Sequence, residues 1–527
     1  MQTQPFLHAS SPAVVAAPWF PLRRSHSRVA LCLVSSAAAL LFWHAPSAQA
    51  QTWTPGAGGS WAAPGNWAPA TVPNAISAAT IFNTPTAARA VTIDSGSAGF
   101  TVGSISSDIG GSFNNAFNTG TTGSKLILDN GGAGVTITTT GTGTGNNAFA
   151  APWVLNDSVN GSVNQTTASS AAGSLNITAA VSGSGGFTKS GDGLGTFGSG
   201  AKTYTGATVL TGGRMRMSLL AAPTATSSFT INAGGQLTLI AAGSYTFGSG
   251  PLNLNGAGPT SGPYAVYPGA IRNDTSLAVT INNAVVLQSD TLIHVQGSAT
   301  GSTTLSGTVS GPGKLTLTAI PHDANLGVLA LNGANTYSGG TVVDGGNLLV
   351  SGAGATLGSG NVTVHSAGAA LGGSTAKLTI QAGVLDAIAD TAILSLAGGG
   401  TAGVADDGMA DLGAGVNESV GYLVLGGVTQ VPGTYGSTSS AATFQNDEYF
   451  AGTGIITALL PRPLLTIESS APNVVVSWPT NAVGFVLQGV GVLTDAWADD
   501  TTPRVISGTN YTVTEAALTN KFFRLKR

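Results

Sequence analysis

Short runs of two-residue alternation dominate the chain after its first fifty residues. Leu175-Asn176-Ile177-Thr178, Leu237-Thr238-Leu239 and Leu252-Asn253-Leu254-Asn255 set apolar residues on one side and Thr or Asn on the other. Leu315-Thr316-Leu317-Thr318, Val362-Thr363-Val364 and Leu378-Thr379-Ile380 repeat the pattern. Successive side chains of a strand point to opposite faces, so each run predicts a short strand with one buried face and one wet face. Gly-rich turns follow the runs, and no window carries apolar residues at helical spacing. The expectation is an all-β fold whose strands lie near the short end of the usual range.

Internal repetition chooses among a sandwich, a barrel and a solenoid. Val181-Ser182-Gly183-Ser184-Gly185 returns as Val309-Ser310-Gly311-Pro312-Gly313, and Tyr204-Thr205-Gly206 as Tyr337-Ser338-Gly339. A module of roughly 130 residues therefore recurs. Beyond each Tyr, Thr208-Val209-Leu210-Thr211-Gly212-Gly213 matches Thr341-Val342-Val343-Asp344-Gly345-Gly346. Met215 and Met217 then match Leu348 and Val350, while Arg214 and Arg216 match Asn347 and Leu349. The first pair of positions stays apolar and the second does not. Stacked coils with an inward ladder and free outward positions explain that difference, so a β-solenoid is expected. Arg214 and Arg216 are expected to be solvated on its outside. His294, between Ile293 and Val295, is expected to be an outward strand residue.

The segment Leu331 to Leu348 (LNGANTYSGGTVVDGGNL) resembles the autotransporter-associated β-strand repeat. The copy at 183–217 is degraded, because Gly198 to Tyr204 lacks the Asn before Thr. Residues 417–457 resemble the segment that closes such repeat regions. Trp53, Trp61 and Trp67, with Gly65-Asn66 before the last, resemble their opening. The resemblance covers roughly 52–458 and implies a right-handed parallel β-helix of passenger type. The stretch after Pro461 is too short for a translocating barrel, since even eight tilted strands of about 10 residues exceed it. Separate export machinery is therefore expected. Past the Pro461-Arg462-Pro463 linker, Val474–Trp478, Phe485–Gln488, Tyr511–Val513 and Phe522–Leu525 read as strands, with Trp478, Trp497, Phe522 and Phe523 as core anchors. This order resembles the small C-terminal β-sandwich of secreted verrucomicrobial proteins. The expected division is 1–50 signal peptide, 51–460 solenoid with repeats near 175–220 and 303–373, and 461–527 sandwich.

Composition narrows the functional classes. Of 527 residues 76 are Gly, about twice the average share. Only 8% are charged, against about 25% in ordinary domains. Mean hydropathy is +0.27 and net charge −4, so disorder is excluded. Eighteen scattered basic residues leave no footprint for nucleic acid. Arg23, Arg24 and Arg28, the apolar run Val29–Trp43 and Ala48-Gln49-Ala50 together read as a secretory signal peptide. Its removal takes away Cys32, the one cysteine, and excludes disulfides, zinc ribbons and thiol catalysis. No later apolar stretch approaches the ~20 residues of a spanning helix.

Candidate chemistry is sparse. Asp406-Asp407-Gly408 with Asp411 is a weak Ca²⁺ candidate, because oxygen ligands can bend around a Gly, but EF-hand spacing is missing. A solvated loop is the plainer reading. Trp53, Trp61 and Trp67 could stack on sugar rings or cap the open end of the solenoid. The His residues after position 50 are His294, His322 and His365. No catalytic residue, metal or cofactor is expected. The sequence points to an exported, non-enzymatic, adhesin-like protein of the cell surface or extracellular space, with surface glycans or the cell envelope as partners. A carbohydrate-active β-helix enzyme and a structural spacer presenting the C-terminal domain are the alternatives.

Overall fold

The computed structural model describes residues 49–109, 113–142, 145–166, 175–275, 277–296, 301–320, 327–367, 375–459, 463–480, 482, 485–516 and 521–526. The expected signal peptide lies almost wholly outside the described residues, as do His322 and most of the Pro461–Pro463 linker. Among the described residues the protein is all-β, with long parallel sheets and only single turns of 3-10 helix. The alternating runs read from the sequence are all strands: Leu175–Ile177, Gly235–Leu239, Leu252–Gly256, Leu315–Ile320, Val362–Val364 and Ala376–Ile380.

Between Gln51 and Ala458 most strands pair in parallel with one strand earlier and one later in the chain. One ladder runs from Leu175 through Gly195, Met215, Leu237, Ile271, Ile293, Leu317, Val343, Val364 and Leu396 to Leu425. A second runs from Val279 through Thr303, Leu329, Leu348, Leu378 and Ala410 to Phe450. Because pairing is in register, like residues stack on like, and the apolar rungs form one continuous core. The rings of Phe117 and Phe149, paired rungs, lie 4.3 Å apart and nearly coplanar in orientation, at 2°.

Both ends of the ladders carry antiparallel strands. At the start, Trp53 of strand Gln51–Trp53 pairs with Trp67 in strand Trp67–Ala68. At the other, Leu425 pairs with Val428 in a hairpin. Such cover occupies backbone groups that an open edge would offer to other chains.

Glycine is needed where chain segments turn closely against one another. Gly213 and Gly346 both open a strand with positive φ, and a Cβ on either would press on a carbonyl oxygen, that of Gly193 or of Gly327. Just ahead of them, Tyr204 and Tyr337 are fully buried. Their hydroxyls bond to Thr208 and Thr341, four residues on, at 2.7 and 2.6 Å.

Not every inward rung is apolar. Lys189 stands between Gly161 and Leu210 and is wholly buried. Its ammonium donates to the carbonyls of Ser190, Gly191 and Gly212 at 2.8–3.0 Å, which saturates its three N–H groups. Burial holds its pKa down at about 7, against the raising effect of Asp192.

Residues after 463 form two antiparallel sheets. Strands Thr466–Ser470, Asn473–Pro479, Asn510–Ala516 and Val505–Ser507 make one; Ala498–Asp499, Val486–Val490 and Phe522–Lys526 make the other. Val476, Trp478, Leu487 and Val513 form their own cluster, with Phe523 packed against it. Two expected anchors differ: Phe522 is exposed, and Trp497 lies beneath the Arg524 guanidinium, 4.4 Å from its ring centroid.

Phe117→Ala should cost about 3–5 kcal/mol in urea unfolding, because the stacked rung cannot collapse around the void. Ile76→Ala, at an exposed position, should stay within about 0.5 kcal/mol.

Candidate functional site

The most unusual side chains lie on the outward face of the parallel sheet. Register places Thr196, Arg216, Thr238, Arg272, His294 and Thr318 on one ladder. Arg214 stands two residues before Arg216, beside Gln236. The segment 257–270, between strands Leu252–Gly256 and Ile271–Asn273, folds back over them. Gln236 anchors it by donating from Nε2 to the carbonyls of Tyr267 and Gly269, at 2.6 and 2.9 Å. Tyr264, within the segment, is buried. The Arg214 guanidinium lies 5.9 and 5.5 Å from the Tyr264 and Tyr267 ring centroids, and Arg272 lies 5.4 Å from Tyr267.

Asp274 bridges the arginines. It pairs with Arg214, and its Oδ1 lies 2.5 Å from Nε of Arg272. Arg214 also donates from Nε to Thr238 Oγ1 at 2.9 Å. The expectation that Arg214 and Arg216 are solvated is corrected here. Arg214 is 9% exposed and Arg216 half-buried, because the insertion roofs a face that strand alternation alone leaves wet. His294 does alternate away from Ile293 and Val295, yet is 1% exposed under the same cover. Its Nδ1 lies 3.2 Å from Thr318 Oγ1. Burial above all, with help from Arg272 and Arg214 and against Asp274, pushes its pKa down to about 3. It is neutral at neutral pH.

Chemically, this is a set of planar donors around one carboxylate. It can hold the covering segment or an oxyanion in place. Among the described residues that it brings together it lacks the second carboxylate that acid–base glycoside hydrolysis uses. No protein-family model, curated protein or solved structure matches the chain.

The residues singled out in the sequence lie elsewhere. Trp53, Trp61 and Trp67 are 2%, 0% and 2% exposed, with Trp67 5.0 Å from Trp53 and 4.8 Å from Trp61. Trp61 and Trp67 donate their indole N–H to the carbonyls of Pro73 and Trp61. No indole face is open to stack on a sugar: the rings pack in the core next to the first ladder strands.

Asp406, Asp407 and Asp411 do not converge. Asp407 is buried and accepts from the amides of Ala367 and Ala376 at 2.7 and 2.9 Å. Asp406 accepts from the amide of Thr401, and Asp411 pairs with Lys377 at 2.7 Å. Among the described residues no group of three or more acidic, His or Cys side chains is placed to hold a metal. Asp407 is thus a staple of backbone rather than a solvated loop residue, and adjacency in sequence could not show that its acceptors meet amides from other strands. His365 pairs through Nδ1 with Asp344 at 2.7 Å.

Sequence reasoning missed Glu418. It is buried and accepts from the amides of Ala387 and Ile388 at 2.8 and 2.7 Å. Burial, reinforced by the charges of Asp386 and Asp390, pushes it up to about 7 despite those bonds. Two-residue alternation sets it on the side of Val416 and Val420, which strand Asn417–Val420 buries, so an acidic residue on an inward position was the available signal. The loop it holds lines a shallow cavity of about 270 Å³ with Asn335, Thr356 and Ser359.

These two groups give opposite pH slopes. Unfolded His294 takes a proton near 6.5, whereas the folded group resists to about 3, so its contribution to stability falls as pH drops through that window. Folded Glu418 keeps its proton to about 7 while the unfolded group loses it near 4.5, so its contribution falls as pH rises between them. Melting curves of His294→Gln should lose the first slope, and those of Glu418→Gln the second. Asp407→Ala should cost about 1–3 kcal/mol by stranding buried amides. Melting should be the same with added Ca²⁺ and with chelator.

Proposed function

We propose that the protein is an exported, non-enzymatic, adhesin-like protein of the cell surface or extracellular space. In this reading residues 51–460 coil as a right-handed parallel β-helix, and residues 461–527 form a small β-sandwich at its end. The observation that carries the reading is the succession of parallel pairings from Leu175 to Leu425, each rung apolar on one side and mostly Thr, Ser or Asn on the other. A repeated backbone unit of that kind makes length and surface rather than a single catalytic cleft. The resemblance at Leu331 to Leu348 and the leader-like first fifty residues support export. The buried hydroxyl pairs Tyr204–Thr208 and Tyr337–Thr341 occupy matching places in the two similar segments. Surface glycans or cell-envelope components are the partners this reading favours, with separate machinery for export.

A spacer that presents its C-terminal module is the second reading. Its support is the exposed apolar surface of that module, including Leu464, Ile467, Val505 and Ile506. Deleting 462–527 separates the two: surface or glycan binding that survives the deletion belongs to the coiled region.

Protease treatment of intact cells, followed by fractionation, should degrade the protein while sparing cytoplasmic markers. Retention of the full chain inside the cell would sink the export reading. At ~4.8 Å per coil, small-angle scattering of the 51–527 chain should report a rod of roughly 80–90 Å plus the C-terminal module; a compact globular profile would overturn the β-helix.

A further inference from the structure

The shallow cavity of about 270 Å³ beside the loop that Glu418 holds is formed by three stretches of chain, 335–336, 356–359 and 386–389. Thr336, Ser359 and Asp386 bring polar groups to it, and Ala387 and Ala389 bring carbon. An apolar cavity of about 150 Å³ accommodates benzene, so this one has room for a single substituted six-membered ring.

The three stretches are bonded to one another. Asn335 donates from Nδ2 to the Thr356 carbonyl at 2.6 Å, and the Thr356 hydroxyl donates to the Asn335 carbonyl at 2.6 Å. The Leu357 amide donates to the Ala387 carbonyl at 2.7 Å, while Glu418 holds the amides of Ala387 and Ile388. Little order therefore has to be imposed when a ligand arrives.

What the walls leave over is chemically specific. Thr336, Ser359 and Asp386 are exposed, and among the described residues none of their side chains has a hydrogen-bond or ion-pair partner. Charge around the cavity is of one sign. Asp386 and Asp390 both act on Glu418 as like charges, and among the described residues no cation pairs with either. In a chain with only 8% charged residues, two unneutralised carboxylates at one cavity make a distinct local field that favours a cation.

Room for one ring, carbon beside it, two hydroxyls without partners and a negative field describe a molecule that is cyclic, hydroxylated and cationic. We propose that this cavity binds one amino-sugar unit, a hexopyranose with a free ammonium group: the ammonium on Asp386, ring hydroxyls on Thr336 and Ser359, and a C–H face against Ala387 and Ala389. The proposal narrows the glycan partner of the reading above to one kind of sugar, and it rests on that reading only for where such a sugar is met.

Calorimetric titration and saturation-transfer NMR of the full purified chain test it. The probes are the methyl glycosides of glucosamine, N-acetylglucosamine and glucose, together with cyclohexylamine. The glucosaminide should bind. The glucoside and the N-acetyl derivative should bind at least about 3-fold more weakly, the modest factor expected of an exposed charge pair. Cyclohexylamine keeps ring and charge but has no hydroxyl, and it should also bind more weakly. In about 1 M salt, where screening acts within about 3 Å, glucosaminide and glucoside should converge. Asp386→Asn, at an exposed position, should bring the glucosaminide to the level of the glucoside while circular dichroism stays unchanged. Asp495→Asn, which removes an exposed carboxylate of the C-terminal module, should leave binding as it is. No binding of any probe, equal binding of glucosaminide and glucoside at low salt, cyclohexylamine binding as well as the glucosaminide, or an Asp386→Asn protein that binds normally would overturn the proposal. These titrations use no cells, so their failure strikes this site, whereas failure of the export reading shows in the protease experiment.

Discussion

Backbone pairing between successive parallel strands is the constraint on which the rest depends. Each short strand has too few residues to be stable alone, and it finds its N–H and C=O partners one loop before and one loop after itself. Parallel register then dictates chemistry. A rung such as Met215 lies between Gly195 and Leu237, so every inward position must suit both neighbours. That requirement makes the core a set of ladders, with Phe117 on Phe149 and Leu348 on Leu378. It also explains the weight of Gly, because chain that turns against a neighbouring segment meets carbonyl oxygens where a Cβ would sit.

The outward face obeys the same register without the same demand for apolar groups. Where it meets water it carries Thr, Ser and Asn. Where the segment 257–270 covers it, the register stacks Arg216, Thr238, Arg272 and His294 in a place where charge is costly. Asp274, the Tyr264 and Tyr267 rings and the Gln236 amide offset that cost. Buried polar groups elsewhere follow the same rule. Lys189, Asp407 and Glu418 each end on main-chain partners supplied by turns, which binds loops to the ladders rather than creating reactive centres.

The C-terminal module has a different economy. Its two small antiparallel sheets enclose only a modest cluster, and several large apolar side chains remain at the surface. Ring stacking by Arg504 and Arg524 covers part of that surface while leaving their charge available. A thin core of this kind readily leaves a pocket between its sheets.

By itself the sequence determined the all-β class, the strand positions and which residues of each run face inward. These are local consequences of two-residue alternation and of Gly-bounded turns, so they are visible without knowing any neighbour. It also marked Trp478 as an anchor of the last module. Only the tertiary structure decided which outward residues stay wet. Arg214 and His294 look like any exposed alternating residue until the segment 257–270, from between two other strands, is laid over them. Likewise Trp53, Trp61 and Trp67 could be read as stacking rings or as a cap, and Asp406, Asp407 and Asp411 as a weak ion site or a solvated loop, because sequence gives only proximity along the chain. Burial and partnership depend on what other strands bring alongside, and that information lies in long-range register, which no single run contains.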